Sequence, residues 1–319
     1  MYKRILTVTL NPAIDINYPI PDFKTNEIRR VSESFKSAGG KGINVARVAS
    51  ELGLDVTCTG IIGGQFGQWL AHDLNRSGIN HDFLTVDAET RLCLAITNQT
   101  SQTEILESGE THTNETVQRF SSHFEQQVPH FDLVVISGSL PKGFPKDYYV
   151  TLLKIAHQHQ TPVCLDTSGE TLAYTLAQAT DCAPYFVKPN EDEIKMLIQD
   201  QNEALETTLT SPALDHLPHI LVSLGKDGAV LRTDHTLYRY TIPPLQVVNP
   251  VGSGDSAVAG FCHGLCNGLS PIEAVTHSMA AGMANALEQR TGHVNPDNFN
   301  QFITQIEYTK VVTHHDKNN

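Results

Sequence analysis

The sequence contains few basic residues for its length. Lysine and arginine together number 22 against 35 aspartates and glutamates, which gives a formal net charge of −13 with histidine neutral. A chain with this charge repels the phosphate backbone of nucleic acid and the anionic surface of a membrane, so we expect neither as a partner. An anionic small molecule could bind only where the few cations are concentrated, and their placement therefore tests function.

Long apolar runs and paired cysteine spacings are also absent. The N-terminal apolar run ends at Asn11-Pro12, which is too short for a signal-peptide core, and no later run approaches a membrane span, so we expect a cytoplasmic protein. The six cysteines show no Cys-x-x-Cys spacing, which predicts buried thiols rather than disulfides or zinc. The histidines form no His-x-x-x-His pair with acidic partners, and we predict no metal site built from histidine.

A glycine-rich loop with an adjacent acid stands in the C-terminal third, at Gly252-Ser253-Gly254-Asp255. Pro250 disfavours regular structure before it, and apolar residues recur at helical spacing after it, which predicts that a helix begins near Gly254. The first N–H groups of a helix lack internal partners and favour phosphate. Asp255 is itself an anion and suits a base that takes a proton from an alcohol attacking that phosphate. A capping loop, in which Asp255 only stabilises its own helix, is the alternative.

A second glycine-rich loop, Gly39-Gly40-Lys41-Gly42, precedes a predicted helix from Ile43 to Leu52. Asn44 falls in the first turn of this helix, where its amide can reach the same cavity as the loop. An ordinary turn would not need Lys41, although glycine turns before helices are common. By contrast, Gly60–Gly67 departs from the G-x-G-x-x-G spacing of a dinucleotide site, and a dehydrogenase would rest on that stretch alone.

From Leu133 onward, apolar strands alternate with helical segments, which indicates βαβ units and a parallel sheet. Polar clusters follow three strands, at Ser137–Ser139, Asp166–Gly169 and Lys188–Asn190. Ligands of open parallel sheets bind at the carboxyl ends of strands, so we expect these clusters to converge. Asn190 and Glu193 begin the following helix and could equally form its capping box.

Two segments outside this pattern alternate as strands solvated on one face, one from Ala13 to Ser37 and one from Thr90 to Leu106. They predict a small sheet outside the core. Arg91 becomes a phosphate ligand only if this hairpin covers a site. Farther on, Ile220–Ala229 predicts two strands joined by a tight turn, where glycines permit another molecule to approach or simply form a hairpin.

Taken together, Ala38–Asn44 and Gly252–Asp255 resemble the two signatures of the ribokinase-like, phosphofructokinase B family, and two linked motifs are more specific than either alone. The resemblance runs over nearly the full chain, through Thr7–Pro12, Thr90-Arg91, Thr103–Glu107, Ser137–Gly143 and Val248–Gly252. It implies one α/β domain over residues 1–319, with a doubly wound, mostly parallel sheet flanked by helices. It also implies a small β-sheet lid, formed by about 12–37 and 90–108, that often pairs with a second subunit.

The resemblance further implies a role for individual residues. Asp255 is the base, and Gly252, Ser253 and Gly254 form the anion hole. The implied substrate-binding residues are Asp15, Gly39, Gly40, Lys41 and Asn44 for the sugar, and Arg30, Arg91 and Ser139 for its phosphate. The implied nucleotide-binding residues are Lys188, Asn190, Glu193, Ser223, Gly225, Gly228 and Asn285. Asn190 and Glu193 would also organise magnesium, through water.

The implied activity is ATP-dependent phosphorylation of the 1-hydroxyl of D-tagatose 6-phosphate, with Mg²⁺, in lactose and galactose catabolism. Phosphorylation of fructose 1-phosphate, the 1-phosphofructokinase reaction, is the nearest alternative, and a non-catalytic sugar-phosphate or nucleotide sensor is another. At one point the chain departs from the pattern: much of the wider family has Asp-Thr where Asn249-Pro250-Val251 stands. That departure argues against a monovalent-cation site on this loop.

Overall fold

The short apolar segments of the sequence form strands, and the longer segments with helical spacing form helices. The computed structural model describes residues 2–98, 102–198 and 204–311. Its strands are β1 (Arg4–Thr9), β2 (Ala13–Pro19), β3 (Phe35–Gly39), β4 (Asp55–Gly63), β5 (Asn80–His81), β6 (Leu84–Val86), β7 (Arg91–Thr97), β8 (Gln102–Leu106), β9 (Leu133–Ser137), β10 (Val163–Asp166), β11 (Phe186–Val187), β12 (His219–Ser223), β13 (Ala229–Thr233), β14 (Thr236–Thr241) and β15 (Glu307–Val311). Its α-helices are α1 (Lys41–Glu51), α2 (Gly64–Arg76), α3 (Asn114–Gln127), α4 (Tyr148–Gln158), α5 (Gly169–Gln178), α6 (Glu191–Ile198), α7 (Leu205–Leu209), α8 (Ser253–Cys266), α9 (Pro271–Ala286) and α10 (Pro296–Ile303).

The large sheet is mixed but mostly parallel. Its order is β15-β14-β13-β12-β11-β10-β9-β1-β4-β5, with β6 also paired to β4. All neighbours from β5 to β12 are parallel, and the β12–β15 end is antiparallel. Strand β1 lies between β4 and β9, with Leu6 opposite Thr57 on one side and Val134 on the other. The predicted α/β fold with a mostly parallel sheet is therefore confirmed.

Helices cover both faces of the large sheet, and each face has its own hydrophobic core. Ile5 and Val135 point into the core beneath α1, α2, α8, α9 and α10, whereas Leu6 and Val134 point into the core beneath α3, α4, α5, α6 and α7. Because both faces are buried, the central strands are continuous apolar runs rather than alternating ones. This is why the sequence pattern changes character between the large sheet and the small one.

Helices α8 and α9 pack unusually closely because small residues face each other. A Cβ atom added at Gly260 would lie 2.2 Å from the carbonyl oxygen of His277, and one added at Gly264 would lie 2.6 Å from Cα of Ala274. Interiors are packed at crystal-like density, so neither position has room for a larger side chain. This close packing fixes the start of α8, and the loop before it, against the rest of the core.

The small sheet has the order β3-β2-β7-β8, with β2 and β7 parallel and the outer pairs antiparallel. It contains the two segments that the alternating pattern assigned to an outer sheet. Residues 99–101, which fall within the predicted lid, lie outside the described residues. That this sheet moves as a lid stays a prediction.

The cysteines and the helix lengths complete this picture. All six cysteine thiols are free, and Cys58, Cys164, Cys182 and Cys262 are buried while Cys93 and Cys266 are partly exposed. None of the described helices combines the length and the apolar character needed to cross a membrane.

Candidate active site

The three polar clusters predicted to converge at the strand ends do converge. The amide of Gly138 donates to the carbonyl of Asp166 at 3.0 Å, and Oγ1 of Thr167 donates to the carbonyl of Gly138 at 2.9 Å. Lys188, which follows β11, has its Nζ 3.7 Å from Oδ1 of Asp166. These contacts gather the ends of β9, β10 and β11 at one edge of the sheet, as open parallel sheets require.

The glycine-rich loop before α8 presents free amides to this edge. Gly252 is the N-cap, with φ of 82°, and an added Cβ would lie 2.7 Å from Cγ2 of Thr291, so both conformation and space require glycine. Within the described part of the chain, the N–H groups of Gly254 and Asp255 donate to no acceptor. Unpaired amides at the positive end of a helix form a site suited to an anion such as a phosphoryl group.

Asn285 holds this loop in place from beneath. Its Nδ2 donates to the carbonyl of Val251 at 2.9 Å and to Oγ of Ser253 at 3.2 Å, while its Oδ1 accepts from the amide of Gly292 at 2.9 Å. The residue is fully buried, so the structure gives it a supporting position behind the predicted anion hole. Its contact with a nucleotide stays a prediction.

Asp255 is buried among charged groups in the wall of the cavity. Burial and the nearby Asp166 carboxylate raise the pKa of Asp255 to about 6, although the charges of Lys41 and Lys188 and a hydrogen bond from Asn44 lower it. That bond runs from Nδ2 of Asn44 to Oδ2 at 2.9 Å and occupies one of the two carboxylate oxygens. A carboxylate with a pKa near neutrality is suited to general-base catalysis.

Asp166 lies between two lysines, and each of its carboxylate oxygens is near one ammonium group. Its Oδ2 is 3.4 Å from Nζ of Lys41, and its Oδ1 is 3.7 Å from Nζ of Lys188. The Asp166 charge is the main cause that raises the pKa of Lys41, with smaller contributions from Asp255 and Glu193. Both lysines lie beside the start of α8, where an added Cβ at Gly254 would lie 3.2 Å from Nζ of Lys188.

Asp15 projects from the small sheet against the other glycine-rich loop. An added Cβ at Gly39 would lie 2.1 Å from its carboxyl group, so only glycine permits this approach. Burial raises the pKa of Asp15 to about 6, while the charges of Arg47 and Arg91 and a hydrogen bond from the Gly40 amide lower it. The predicted role of Gly39 thus takes a specific form, since the residue makes room for Asp15 rather than lining the cavity.

A cavity of about 740 Å³ lies between the small sheet and this edge of the large one. A cavity of this size suits a small ligand. The predicted site residues that line it are Asp15, Gly40, Lys41, Asn44, Arg91, Ser139, Gly252, Gly254 and Asp255. One cavity therefore contains members of both glycine-rich loops, the small sheet and the strand-end clusters.

Other predicted residues lie away from this cavity. Arg30 is exposed in the connection between β2 and β3 and does not line it, so its phosphate contact stays a prediction. Ser253 is the first residue of α8 and does not line the cavity, and its Oγ accepts a hydrogen bond from Asn285. Gly225 and Gly228 occupy the turn between β12 and β13, where an added Cβ at Gly228 would lie 2.0 Å from the carbonyl oxygen of Tyr240.

Asn190 and Glu193 form the reciprocal pair of a capping box. The amide of Asn190 donates to Oε2 of Glu193 at 2.9 Å, and the amide of Glu193 donates to Oδ1 of Asn190 at 2.8 Å. Asn190 also forms a β-bridge with Ser223, which ends β12. Both residues therefore lie near Lys188, which follows the neighbouring strand β11. The capping alternative is thus present in the structure, and the roles of this group in binding nucleotide and magnesium stay predictions.

Several residues of the site were missed by the reasoning from sequence. Asp166, the last residue of β10, belongs to a cluster that was predicted to converge, but its position between two lysines was not predicted. Arg47 lies three residues after Asn44 in a predicted helix, a spacing that places both on one face, and it donates to Asn44. Gly292 had no signal, because its approach to that same side chain, which an added Cβ would bring to 2.9 Å, depends on the folded chain.

The fold and the site together define a class of enzyme. The family of pfkB carbohydrate kinases matches residues 8–298, and the chain belongs to that family. It is a sugar-phosphate kinase, and the family implies ATP as its phosphate donor. Of the two motifs on which the resemblance was based, one begins α1 and the other begins α8, and both face the same cavity.

Individual members of this class are similar to the chain in sequence or in structure. The chain is 40% identical over 311 residues to the tagatose-6-phosphate kinase of Staphylococcus epidermidis, covering 96% of this chain and 100% of that protein. Among solved structures, phosphofructokinase-2 from Escherichia coli in complex with potassium is similar, with 26% identity, a TM-score of 0.86, and coverage of 95% of this chain and 99% of that one. The same enzyme in complex with fructose-6-phosphate has 25% identity and a TM-score of 0.83, with the same coverage. These likenesses confirm the ribokinase-like fold.

The pKa values of the two cavity carboxyls predict an acid limit to activity. Asp255 accepts a proton only when it is ionised, so turnover should be present above its pKa and lost as the pH falls through about 6. Asp15, with a similar pKa, should steepen the loss. The measurement is kcat at saturating sugar phosphate and MgATP between about pH 5 and about pH 8, since saturation limits effects of phosphate ionisation on substrate binding. A rate that stays constant over this range would contradict the assignment of a buried base.

Proposed function

We propose that this enzyme transfers the γ-phosphoryl group of ATP to the 1-hydroxyl of D-tagatose 6-phosphate, producing D-tagatose 1,6-bisphosphate. The observation that carries the proposal is that Asp255, beside unpaired amides, and Arg91, on the small sheet, line one cavity. The 40% identity to a tagatose-6-phosphate kinase over its whole length supports the choice of sugar.

Arg91 is the residue we assign to the 6-phosphate. Its Nε and Nη2 donate to the carbonyl of Asn11 at 3.2 and 3.0 Å, and its Nη1 donates to the carbonyl of Glu107 at 2.7 Å. These bonds fix the guanidinium without neutralising it, and no carboxylate of the described chain lies within ion-pair distance. A fixed and unpaired guanidinium is well suited to a phosphate, since it offers donors in a planar fork.

Asp255 is the residue we assign to the reacting hydroxyl. Asn44 occupies Oδ2, which leaves Oδ1 to accept the proton of the attacking alcohol. The amides of Gly254 and Asp255 donate to oxygens of the transferring group, and the positive charges of Lys41 and Lys188 stabilise its negative charge. Because phosphoryl transfer passes through a loose transition state, positioning and charge should contribute more than proton transfer.

The nucleotide side of the site fits MgATP. Bound MgATP would supply the phosphoryl group and a divalent cation to offset its charge. Lys188, the Gly254 amide and Glu193 would hold MgATP. Oε2 of Glu193 accepts the capping-box hydrogen bond from Asn190. Oε1 makes no hydrogen bond within the described chain and suits a water on magnesium. The ends of β11 and β12, with Asn190, Ser223, Gly225 and Gly228, provide the neighbouring surface.

The choice of substrate is tested by comparing tagatose 6-phosphate, fructose 6-phosphate and fructose 1-phosphate as acceptors. We expect the highest kcat/KM for tagatose 6-phosphate, measured as ADP release with saturating MgATP. A preference for fructose 1-phosphate would replace the proposal with a 1-phosphofructokinase.

The phosphate role of Arg91 is tested by Arg91→Ala, which should raise KM for tagatose 6-phosphate by about 10- to 100-fold, as expected for a lost charge-assisted bond. An equal loss on unphosphorylated tagatose would refute the phosphate role of Arg91.

The role of the base is tested by Asp255→Asn. General-base catalysis contributes about 10²- to 10⁴-fold, so kcat should fall by at least about 10²-fold. The affinity for the sugar phosphate, measured by calorimetry, should change little. Asp297→Asn is a matched control, because Asp297 also lies in the first turn of a helix but is exposed and outside the cavity. Near-normal turnover of the Asp255 variant would remove the basis of the mechanism.

We also propose that the small sheet closes over the cavity and pairs with a second copy of the chain. Ile28, Ile105 and Leu106, on the small sheet or its connection, expose 94%, 57% and 59% of their surface, and a second copy of the chain would cover this apolar surface. Ile105→Asp should then shift the sedimentation coefficient from a dimer toward a monomer, whereas Tyr174→Asp, at an exposed position of α5, should not. A wild-type chain that sediments as a monomer at micromolar concentration would reject the pairing.

A further inference from the structure

Arg47, on the second turn of α1, is a buried cation that the proposed reaction does not use. Only 5% of its surface is exposed, and no carboxylate of the described chain lies within ion-pair distance. Its Nη1 donates to Oδ1 of Asn44 at 3.0 Å, and its Nη2 donates to the carbonyl of Ala38. A buried charge without an ion pair costs free energy, so its retention calls for a physical reason.

The reason lies in the orientation of the Asn44 amide. Because Oδ1 of Asn44 accepts from Arg47, its Nδ2 is turned toward Oδ2 of Asp255 and donates to it at 2.9 Å. The flipped amide would place an oxygen against the Asp255 carboxylate and an NH₂ group against the guanidinium, so both contacts would become repulsive. Gly292 packs against the same side chain and restricts other rotamers.

We propose that Arg47 is a positioning residue for the base, acting through Asn44 to hold Oδ2 of Asp255 and leave Oδ1 directed at the substrate hydroxyl. This inference rests on the proposed function, since it takes Asp255 as the base. It extends that function by assigning the geometry of the carboxylate to a residue that lies outside the cavity.

Arg47 also connects the base to the small sheet. The carbonyl of Ala38, in β3, accepts from Arg47, and the amide of Ala38 donates to Oδ2 of Asp73 at 2.9 Å. Ala38 is followed by Gly39, against which the Asp15 carboxyl packs. A single guanidinium therefore contacts both the residue that orients the base and the strand end that determines the place of Asp15.

Charged groups surround both Asp255 and Arg47 and affect how the test is read. Facing Asp255 are Asp166 from β10, Lys41 from α1 and Lys188 after β11, together with the amide of Asn44. The ionisable groups that face Arg47 are Asp15, Cys58, Glu51 and Asp73. The hydrogen bond from Asn44 lowers the pKa of Asp255, and the charge of Arg47 lowers the pKa of Asp15, so two routes to a pH effect must be separated.

The test measures the acid limb of kcat against pH for Arg47→Met and Arg47→Lys. Without Arg47 the amide of Asn44 is free to flip, so we expect the limb to move upward by about one pH unit and kcat to fall about tenfold, with KM for MgATP unchanged. Arg47→Lys, which keeps a charge and a donor, should recover part of both effects. A folded Arg47→Met enzyme with an unmoved limb would overturn the proposal.

Double variants distinguish the two routes. In an Asn44→Ala background, Arg47→Met should add no further shift, whereas in an Asp15→Asn background the shift should persist. A shift that persists without Asn44, or disappears without Asp15, would overturn action through the amide. If Arg47→Met does not fold, as judged by thermal unfolding, the same comparison is made with Arg47→Lys.

The two proposals fail in distinguishable ways. Near-normal turnover of Asp255→Asn would reject Asp255 as the base, whereas no turnover of any of the three sugar phosphates by the wild-type enzyme would reject the proposed function. Loss of turnover in that variant, together with unshifted Arg47 variants, would reject only the positioning role.

Discussion

The hydrogen bond from Asn44 to Asp255 joins residues 211 positions apart, and the candidate site depends on it. Each residue stands in the first turn of a helix that follows a glycine-rich loop, and the two helices, α1 and α8, cover the same face of the large sheet. Neither loop makes a site alone. Together they place the Asp255 carboxylate, free amides and a lysine around one cavity, because the buried contact between their helix starts holds the two loops side by side.

Much of this arrangement follows from local patterns. The continuous apolar runs of the parallel strands, the alternation of the outer segments and the polar residues at strand ends each have a direct physical cause, and they predicted the sheet, the small sheet and the convergence. Helix boundaries differ by only one or two residues, as at α1, which was predicted from Ile43 and begins at Lys41.

The rest depends on contacts that leave no local pattern. Arg47 lies within a helical segment, where an arginine is ordinarily solvated, and only the fold reveals that it is buried against Asn44. Asn285 has the small size expected of a helix-packing residue, yet it donates two hydrogen bonds to Val251 and Ser253 at the start of α8 and accepts a third from the amide of Gly292, after α9. Asn44 and Asn285 each bond to a residue distant in sequence, so neither composition nor periodicity could predict those contacts.

The pairing of β2 with β7 has a consequence for the dimensions of the ligand. Ala13 is paired with Arg91 and Asp15 with Cys93, so Asp15 and Arg91 are offset by two residues within one hydrogen-bonded ladder. Two strand residues span roughly 7 Å, and this separation cannot change without breaking the ladder. The proposed phosphate ligand Arg91 and the carboxylate of Asp15 are thus carried on one ladder, so any movement of the small sheet would carry both together. On the proposed assignment, the length of the bound sugar phosphate is measured against one rigid strand pair rather than across two bodies.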